Sequence, residues 1–236
     1  MNIVSAVIVA AGRGTRMGPN IDKLFLEVCG RPIIAHTWEA FASSPHISGI
    51  ILVVREDQEA DFKALAAEYQ FLKPFRFAPG GAERQNSVWN GLAAISPEAG
   101  IVAIQDGARP CATRQIIADC VAAARETGAA VAAQRITDTL KEAGEDRIVS
   151  RHLDRSRIWS VQTPQVFRTE IIKRALGEVI KRDLSVTDDT AACEFIGQPV
   201  KLVESAAPNP KATSPADIPF IELILNRQLA NTARGL

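Results

Sequence analysis

The chain has 236 residues, 47% of them hydrophobic and 23% charged, which suits one large domain with a full core. Its 27 basic and 27 acidic side chains cancel, so no basic excess calls for nucleic acid and no polybasic tail for a membrane surface; a polyanionic ligand would have to be met by a local cluster of cations. Cys29, Cys111, Cys120 and Cys193 form no CxxC pair and the three histidines show no zinc-ligand spacing, a pattern expected of small buried thiols in a reduced, cytoplasmic compartment.

The apolar opening run 3–10 lacks a basic n-region and is too short to span a bilayer, so it is expected to be a strand buried on both faces and not a leader. Residues 32–43 place Ile33, Ile34, Trp38 and Phe41 at helical positions. Residues 49–54 read as a second buried strand, 58–69 as an Ala-rich helix, and 75–78 as a short strand running into Pro79-Gly80-Gly81. A helix over 87–95, a buried strand over 100–105, a helix over 114–127 closed by Gly128, and a strand over 129–134 follow. This alternation predicts βαβ units: an α/β fold, one Rossmann-like domain over 1–236 with a mostly parallel central sheet.

At 137–159 the pattern changes to polar and charged residues with few helix signals, and a protruding β-arm is expected there. Beyond it, 160–167 reads as extended, 168–181 and 187–196 as helical, and 200–204 as a strand. Ser214-Pro215 would cap and open the last helix, with Pro219 just inside it.

Directly after the first strand stands Ala10-Ala11-Gly12-Arg13-Gly14-Thr15-Arg16-Met17-Gly18, with Lys23 close behind. In open α/β sheets ligands bind outside the carboxyl ends of the strands, and small residues there let backbone N–H groups face phosphate oxygens. Arg13, Arg16 and Lys23 add three cations, as a triphosphate requires when charge builds on its oxygens around a five-coordinate α-phosphorus. A dinucleotide fingerprint would need glycine where Met17 stands, and no GxxxxGK[ST] loop occurs. Asp106 ends a buried strand, where a carboxylate needs a partner: a Mg²⁺ ion or a ribose, or else internal pairing with Arg109.

Further motifs follow in order: Gly80-Gly81-Ala82-Glu83-Arg84 then Ser87-Val88; Asp106-Gly107-Ala108-Arg109-Pro110; Asp138-Thr139-Leu140-Lys141; Asp154-Arg155, Trp159 and Thr163-Pro164-Gln165; Thr187-Asp188-Asp189; and Asn209-Pro210-Lys211-Ala212-Thr213. With the 10–17 loop and Lys23, which look like the signature of sugar-nucleotide pyrophosphorylases, this ordered set resembles the 2-C-methyl-D-erythritol 4-phosphate cytidylyltransferase family. The resemblance implies a nucleotidyltransferase that joins CTP to methylerythritol phosphate and releases pyrophosphate, with Mg²⁺ as cofactor. It implies that Arg16 and Lys23 hold the triphosphate. Ala10, Ala11, Gly12, Gly14, Gly80, Gly81, Ser87, Asp106 and Arg109 would line the nucleotide site, with Gly80, Gly81 and Ser87 reading the cytosine. Thr139, Arg155 and Lys211 would bind the polyol phosphate, with Arg109 and Thr163 nearby. It also implies a homodimer in which the 137–159 arm, carrying Thr139 and Arg155, reaches into the partner's site. Ala82, Gln105 and Gly107 depart from the family's usual Asp, His and Ala. They leave room for a ribitol 5-phosphate cytidylyltransferase, and a nucleotide-binding module without catalysis is a third reading.

Overall fold

A computed structural model of the chain describes residues 3–12, 14 and 22–233. Seven strands form the central sheet: β1 (Ile3–Val9), β4 (Gly49–Val54), β5 (Phe75–Pro79), β6 (Ala99–Asp106), β7 (Ala129–Arg135), β10 (Trp159–Arg168) and β11 (Lys201–Glu204). Their spatial order is β11-β7-β10-β6-β1-β4-β5. All pairings are parallel except those of β10, which runs antiparallel to both β6 and β7. The expected mostly parallel α/β sheet is therefore present, with one reversed strand at the segment expected only to be extended.

Helices cover both faces, which explains the apolar strands. Val4, Ala6 and Ile8 of β1 point to one core, shared with α1 (Ile33–Ala42), α2 (Glu59–Glu68), α4 (Arg114–Thr127) and α7 (Ile218–Ala233). Val7 points to the other, shared with α3 (Arg84–Ala94), α5 (Thr169–Lys181) and α6 (Asp189–Glu194). Trp38 is fully buried at the centre of the first core, with the rings of Phe71 and Phe75 at 4.6 and 5.0 Å. Removing the Trp38 ring would cost about 3–5 kcal/mol as a large-to-small core change.

Several helix limits differ from the sequence expectations for local reasons. The helix expected at 87–95 begins at Arg84, because Glu83 accepts from the N3 N–H while Asn86 reaches back to the Glu83 N–H. That shift puts Arg84 in the first turn. The helix expected at 187–196 contracts to 189–194, because the Asp188 carboxylate caps it by accepting from the Ala191 N–H. Pro215 opens a 3₁₀ turn, and α7 proper starts at Ile218, so Pro219 lies in its first turn, where no helical N–H is needed. A two-residue ribbon, β2 (Glu27–Val28) with β3 (Arg31–Pro32), had no counterpart in the sequence reading; Cys29 and Gly30 turn it at φ of 51° and 71°.

Within the expected arm, β8 (Lys141–Ala143) pairs antiparallel with β9 (Val149–His152), and residues 141–152 are all exposed. The arm leaves the sheet between β7 and β10, where Arg135 stacks over the Trp159 ring at 4.3 Å.

Candidate active site

The strand order places a topological switch between β1 and β6: the chain proceeds from β1 outward through β4 and β5, then crosses back to β6 on the other side. Crevices for ligands open at the carboxyl ends of strands at such points. A cleft of about 370 Å³ lies there, within the ordinary size of ligand sites. The turn after β1 supplies Ala10, Ala11 and Gly12, the end of β6 supplies Asp106 and Gly107, and the start of α3 supplies Gly81, Arg84 and Ser87. Lys23 and Lys211 complete it.

The glycines are there for close approach. A Cβ on Gly80 would stand 2.4 Å from the Ala11 Cβ, and one on Gly81 would stand 2.4 Å from the Asn86 Cβ. Gly80 therefore lets the chain after β5 press against the turn after β1, and Gly81 lets it pack against the first turn of α3. Ser87 Oγ accepts from the Gly81 N–H at 2.9 Å and donates to Glu83 C=O at 3.2 Å, which fixes this rim. Gly14 takes φ of 61°, and a Cβ there would lie 2.9 Å from Lys23 Cδ, so the lysine stem crosses this position. Lys23 Nζ donates to the Ala212 carbonyl at 3.1 Å. Arg13 and Arg16 lie outside the described residues.

Asp106 is the centre of the charge pattern. It is 8% exposed, its Oδ1 accepts from Arg84 Nε at 3.1 Å and its Oδ2 from Lys211 Nζ at 2.8 Å, with Arg109 Nε at 3.6 Å. Burial alone would raise its pKa; Arg84, Lys211 and Arg109 outweigh burial and hold the carboxyl well below the usual carboxylate range. The same burial lowers the pKa of Arg109, whose Nη1 is anchored on the Asn209 carbonyl at 2.8 Å. Thr163 Oγ1 accepts the Asp106 N–H at 3.1 Å, tying the antiparallel strand β10 to the site.

Arg84 also faces Asp189, at 2.9 Å from Nη1 to Oδ2. Asp189 is fully buried, and this ion pair leaves neither of its oxygens with a well-aligned hydrogen bond. Burial outweighs Arg84 and raises the Asp189 pKa. On Arg84 the balance is reversed: burial opposes its charge, and Asp189 and Asp106 overcome it and push its pKa up. Arg84 and Asp189 were read only as parts of motifs, without a role. The signal that could have found them is the cap at Glu83, which brings Arg84 into the first helical turn.

A second, adjoining cleft of about 270 Å³ shares Arg84, Asp106 and Lys211 with the first and adds Arg109, Thr163, Gln165 and Asp188. Two clefts with a common wall of charge can hold two polyanionic ligands side by side. Thr139 and Arg155 do not reach either cleft of their own chain; both are exposed on the arm, where the Arg155 guanidinium donates to the Thr137 carbonyl.

For a metal, Asp106 offers one carboxylate whose oxygens already face Arg84 and Lys211, while Glu83 is engaged in capping α3. No cluster of three or more His, Cys, Asp or Glu side chains suited to a metal occurs among the described residues. The site therefore fits Mg²⁺ only as an ion ligated largely by phosphate and water, the usual habit of that cation. Among the described residues no helix is long and apolar enough to cross a membrane.

The chain is similar to known proteins over almost its whole length. The family model for 2-C-methyl-D-erythritol 4-phosphate cytidylyltransferase matches residues 4–227. The enzyme of that name from Pelotomaculum thermopropionicum is 39% identical over 236 residues, covering 100% of this chain and 99% of the relative. That from Caldanaerobacter subterraneus is 40% identical over 225 residues, covering 95% and 99%. Among solved structures, the 4-diphosphocytidyl-2C-methyl-D-erythritol synthase of Anaerococcus prevotii superposes with a TM-score of 0.85 at 31% identity, covering 95% of this chain and 96% of that one.

Proposed function

The chain belongs to the 2-C-methyl-D-erythritol 4-phosphate cytidylyltransferase family and couples CTP to 2-C-methyl-D-erythritol 4-phosphate in isoprenoid precursor synthesis, and we propose that the paired clefts at the β1–β6 switch point are where it does so. The observation that carries this placement is the wall of Arg84, Asp106 and Lys211 shared by two adjoining clefts. A transfer between two phosphate-bearing substrates needs two anion sites in contact.

In this reading CTP occupies the first cleft. Its base lies against the rim of Gly80, Gly81 and Ser87, and its phosphates lie along Ala10, Ala11, Gly12, Gly14 and Lys23, with Arg16 as a second cation. The ribose meets Asp106. The phosphate of methylerythritol phosphate occupies the second cleft against Lys211, Arg109 and Thr163. One of its oxygens attacks the α-phosphorus of CTP, the bond from that phosphorus to the bridging oxygen of the β-phosphate breaks, and pyrophosphate leaves. The nucleophile is already an anion, so no general base is required, and catalysis rests on alignment and charge stabilisation. Lys23 and Arg16 stabilise the charge that grows on the α-phosphate and the leaving group. Asp106 is the carboxylate that would help hold a Mg²⁺ ion, which would supply further neutralisation of the phosphate oxygens.

Thr139 and Arg155, exposed on the arm and remote from their own clefts, complete the polyol site of a second copy in a homodimer built through the 137–159 arm. The test is a substrate panel: four nucleoside triphosphates with methylerythritol phosphate and with ribitol 5-phosphate, in Mg²⁺, followed by pyrophosphate release. The expected result is turnover with CTP and methylerythritol phosphate and a much lower kcat/KM for ribitol 5-phosphate. Absence of turnover with that pair would overturn the reading.

A further inference from the structure

One cluster beside the site has no part in the scheme above. Asp22 immediately precedes Lys23, and both of its carboxylate oxygens are in use. Oδ1 accepts from the Leu24 N–H at 3.1 Å; Oδ2 accepts from Arg55 Nη2 at 2.9 Å and also from Gln58 Nε2. The Asp22 carbonyl accepts from the Phe25 N–H at 3.1 Å, closing a tight turn around Lys23. Arg55 follows β4, and β4 is paired with β1 through Val9 and Val53 at the very end where the phosphate turn begins. The Asp22–Arg55 contact thus ties the backbone that carries Lys23 to the strand next to that turn.

Three restraints then meet on one lysine. Its backbone is held from Asp22, its stem crosses Gly14, and its ammonium donates to the Ala212 carbonyl. The charge balance points the same way. A carboxylate one residue from Lys23 would repel an incoming triphosphate unless neutralised, and the Arg55 guanidinium neutralises it. The pair adds little to stability: both side chains keep about a quarter of their surface, 24% and 23%, and such ion pairs contribute little net free energy.

We propose that Arg55 is a positioning residue for nucleotidyl transfer: through Asp22 it fixes the backbone from which Lys23 reaches the triphosphate. This rests on the assignment of Lys23 to the phosphates. Positioning within an ångström is worth one to two orders of magnitude in rate, so Arg55→Ala lowers kcat about tenfold while KM for methylerythritol phosphate stays within about twofold. Arg55→Lys restores most of the rate. Asp57→Asn, which removes the exposed second partner of Arg55 at 3.5 Å, leaves it unchanged. The readout that separates positioning from a structural role is the cycle with Lys23→Ala: adding Arg55→Ala to Lys23→Ala causes no further loss, and the thermal midpoint of Arg55→Ala stays within about 2 °C of the parent. An impaired Lys23→Ala beside a near-normal Arg55→Ala would overturn the proposal alone, as would a full additional loss in the double variant. A near-normal Lys23→Ala would overturn the assignment of Lys23 first, and the proposal with it.

Discussion

The cleft at the switch point and the arm both carry motif residues, yet the fold treats them in opposite ways. In the cleft, Asp106 is almost fully buried and every oxygen it presents meets a cation. On the arm, Thr139 and Arg155 are open to solvent, and the hairpin of β8 and β9 has no buried residue. A buried charge network can be arranged only by a folded core, because each unpaired member would cost several kcal/mol. An exposed arm is under no such demand, so its side chains take their final geometry from whatever they meet. The cleft is organised in advance by this chain; in the proposed homodimer the arm would be organised by a second copy.

The comparison can be broken at its strongest point first. Lys23→Ala is expected to lower kcat by about 100-fold or more with the fold intact, the usual result of removing a preorganised charge from a transition state. Steady-state kinetics alongside circular dichroism checks this, and a variant within a few-fold of the parent would remove Lys23 from the mechanism.

Arg84→Ala tests whether the buried network also holds the fold. It leaves Asp189 buried without its cation and takes one partner from Asp106. Breaking such a pair costs about 3–5 kcal/mol, reduced here because the Arg84 side chain is 27% exposed, and urea unfolding should show a clear fall in midpoint. An unchanged midpoint would mean that water replaces the guanidinium freely.

Arg155→Ala tests the arm. Being exposed, it should leave the unfolding midpoint unchanged, and it should raise the KM for methylerythritol phosphate about tenfold while altering that for CTP far less. Equal effects on both would place Arg155 outside the polyol site. Mixing Arg155→Ala with Lys23→Ala sharpens the point: if sites are shared across a dimer, the mixture regains activity that neither variant has alone.

The smallest effect is in the pH dependence of stability. Asp106 has a folded pKa below its unfolded value near 3.9. Its ion pairs therefore stabilise the fold fully above about pH 4, and that contribution is lost as pH falls towards the depressed folded pKa. Asp106→Asn should be less stable than the parent at pH 7, and the gap should narrow below about pH 4. A constant gap across that range would mean that the effect of Asp106 on stability is not electrostatic.

How much of this was legible in the sequence follows the same division. The strands at 3–10 and 49–54 announced themselves because burial on two faces demands uninterrupted apolar residues. The phosphate turn was legible because small residues and cations have few reasons to coincide at a strand end. The antiparallel course of β10 was not, since a strand buried over most of its length reads the same in either direction. Arg84 and Asp189 also escaped, because the partner of a buried charge depends on long-range packing: the two stand far apart in the chain and meet only when α3 and α6 share a core. Arg55 escaped for the same reason, as one charged residue among many until β4 laid it beside Asp22.

The proposed function requires that the cations gathered where β1 and β6 end receive a reacting triphosphate. The most direct measurement is a crystal structure with CTP and Mg²⁺ bound. Cytosine is expected against Gly80, Gly81 and Ser87, with Lys23 Nζ on the phosphate oxygens. A nucleotide seated elsewhere, with Lys23 still directed at the Ala212 carbonyl, would contradict it.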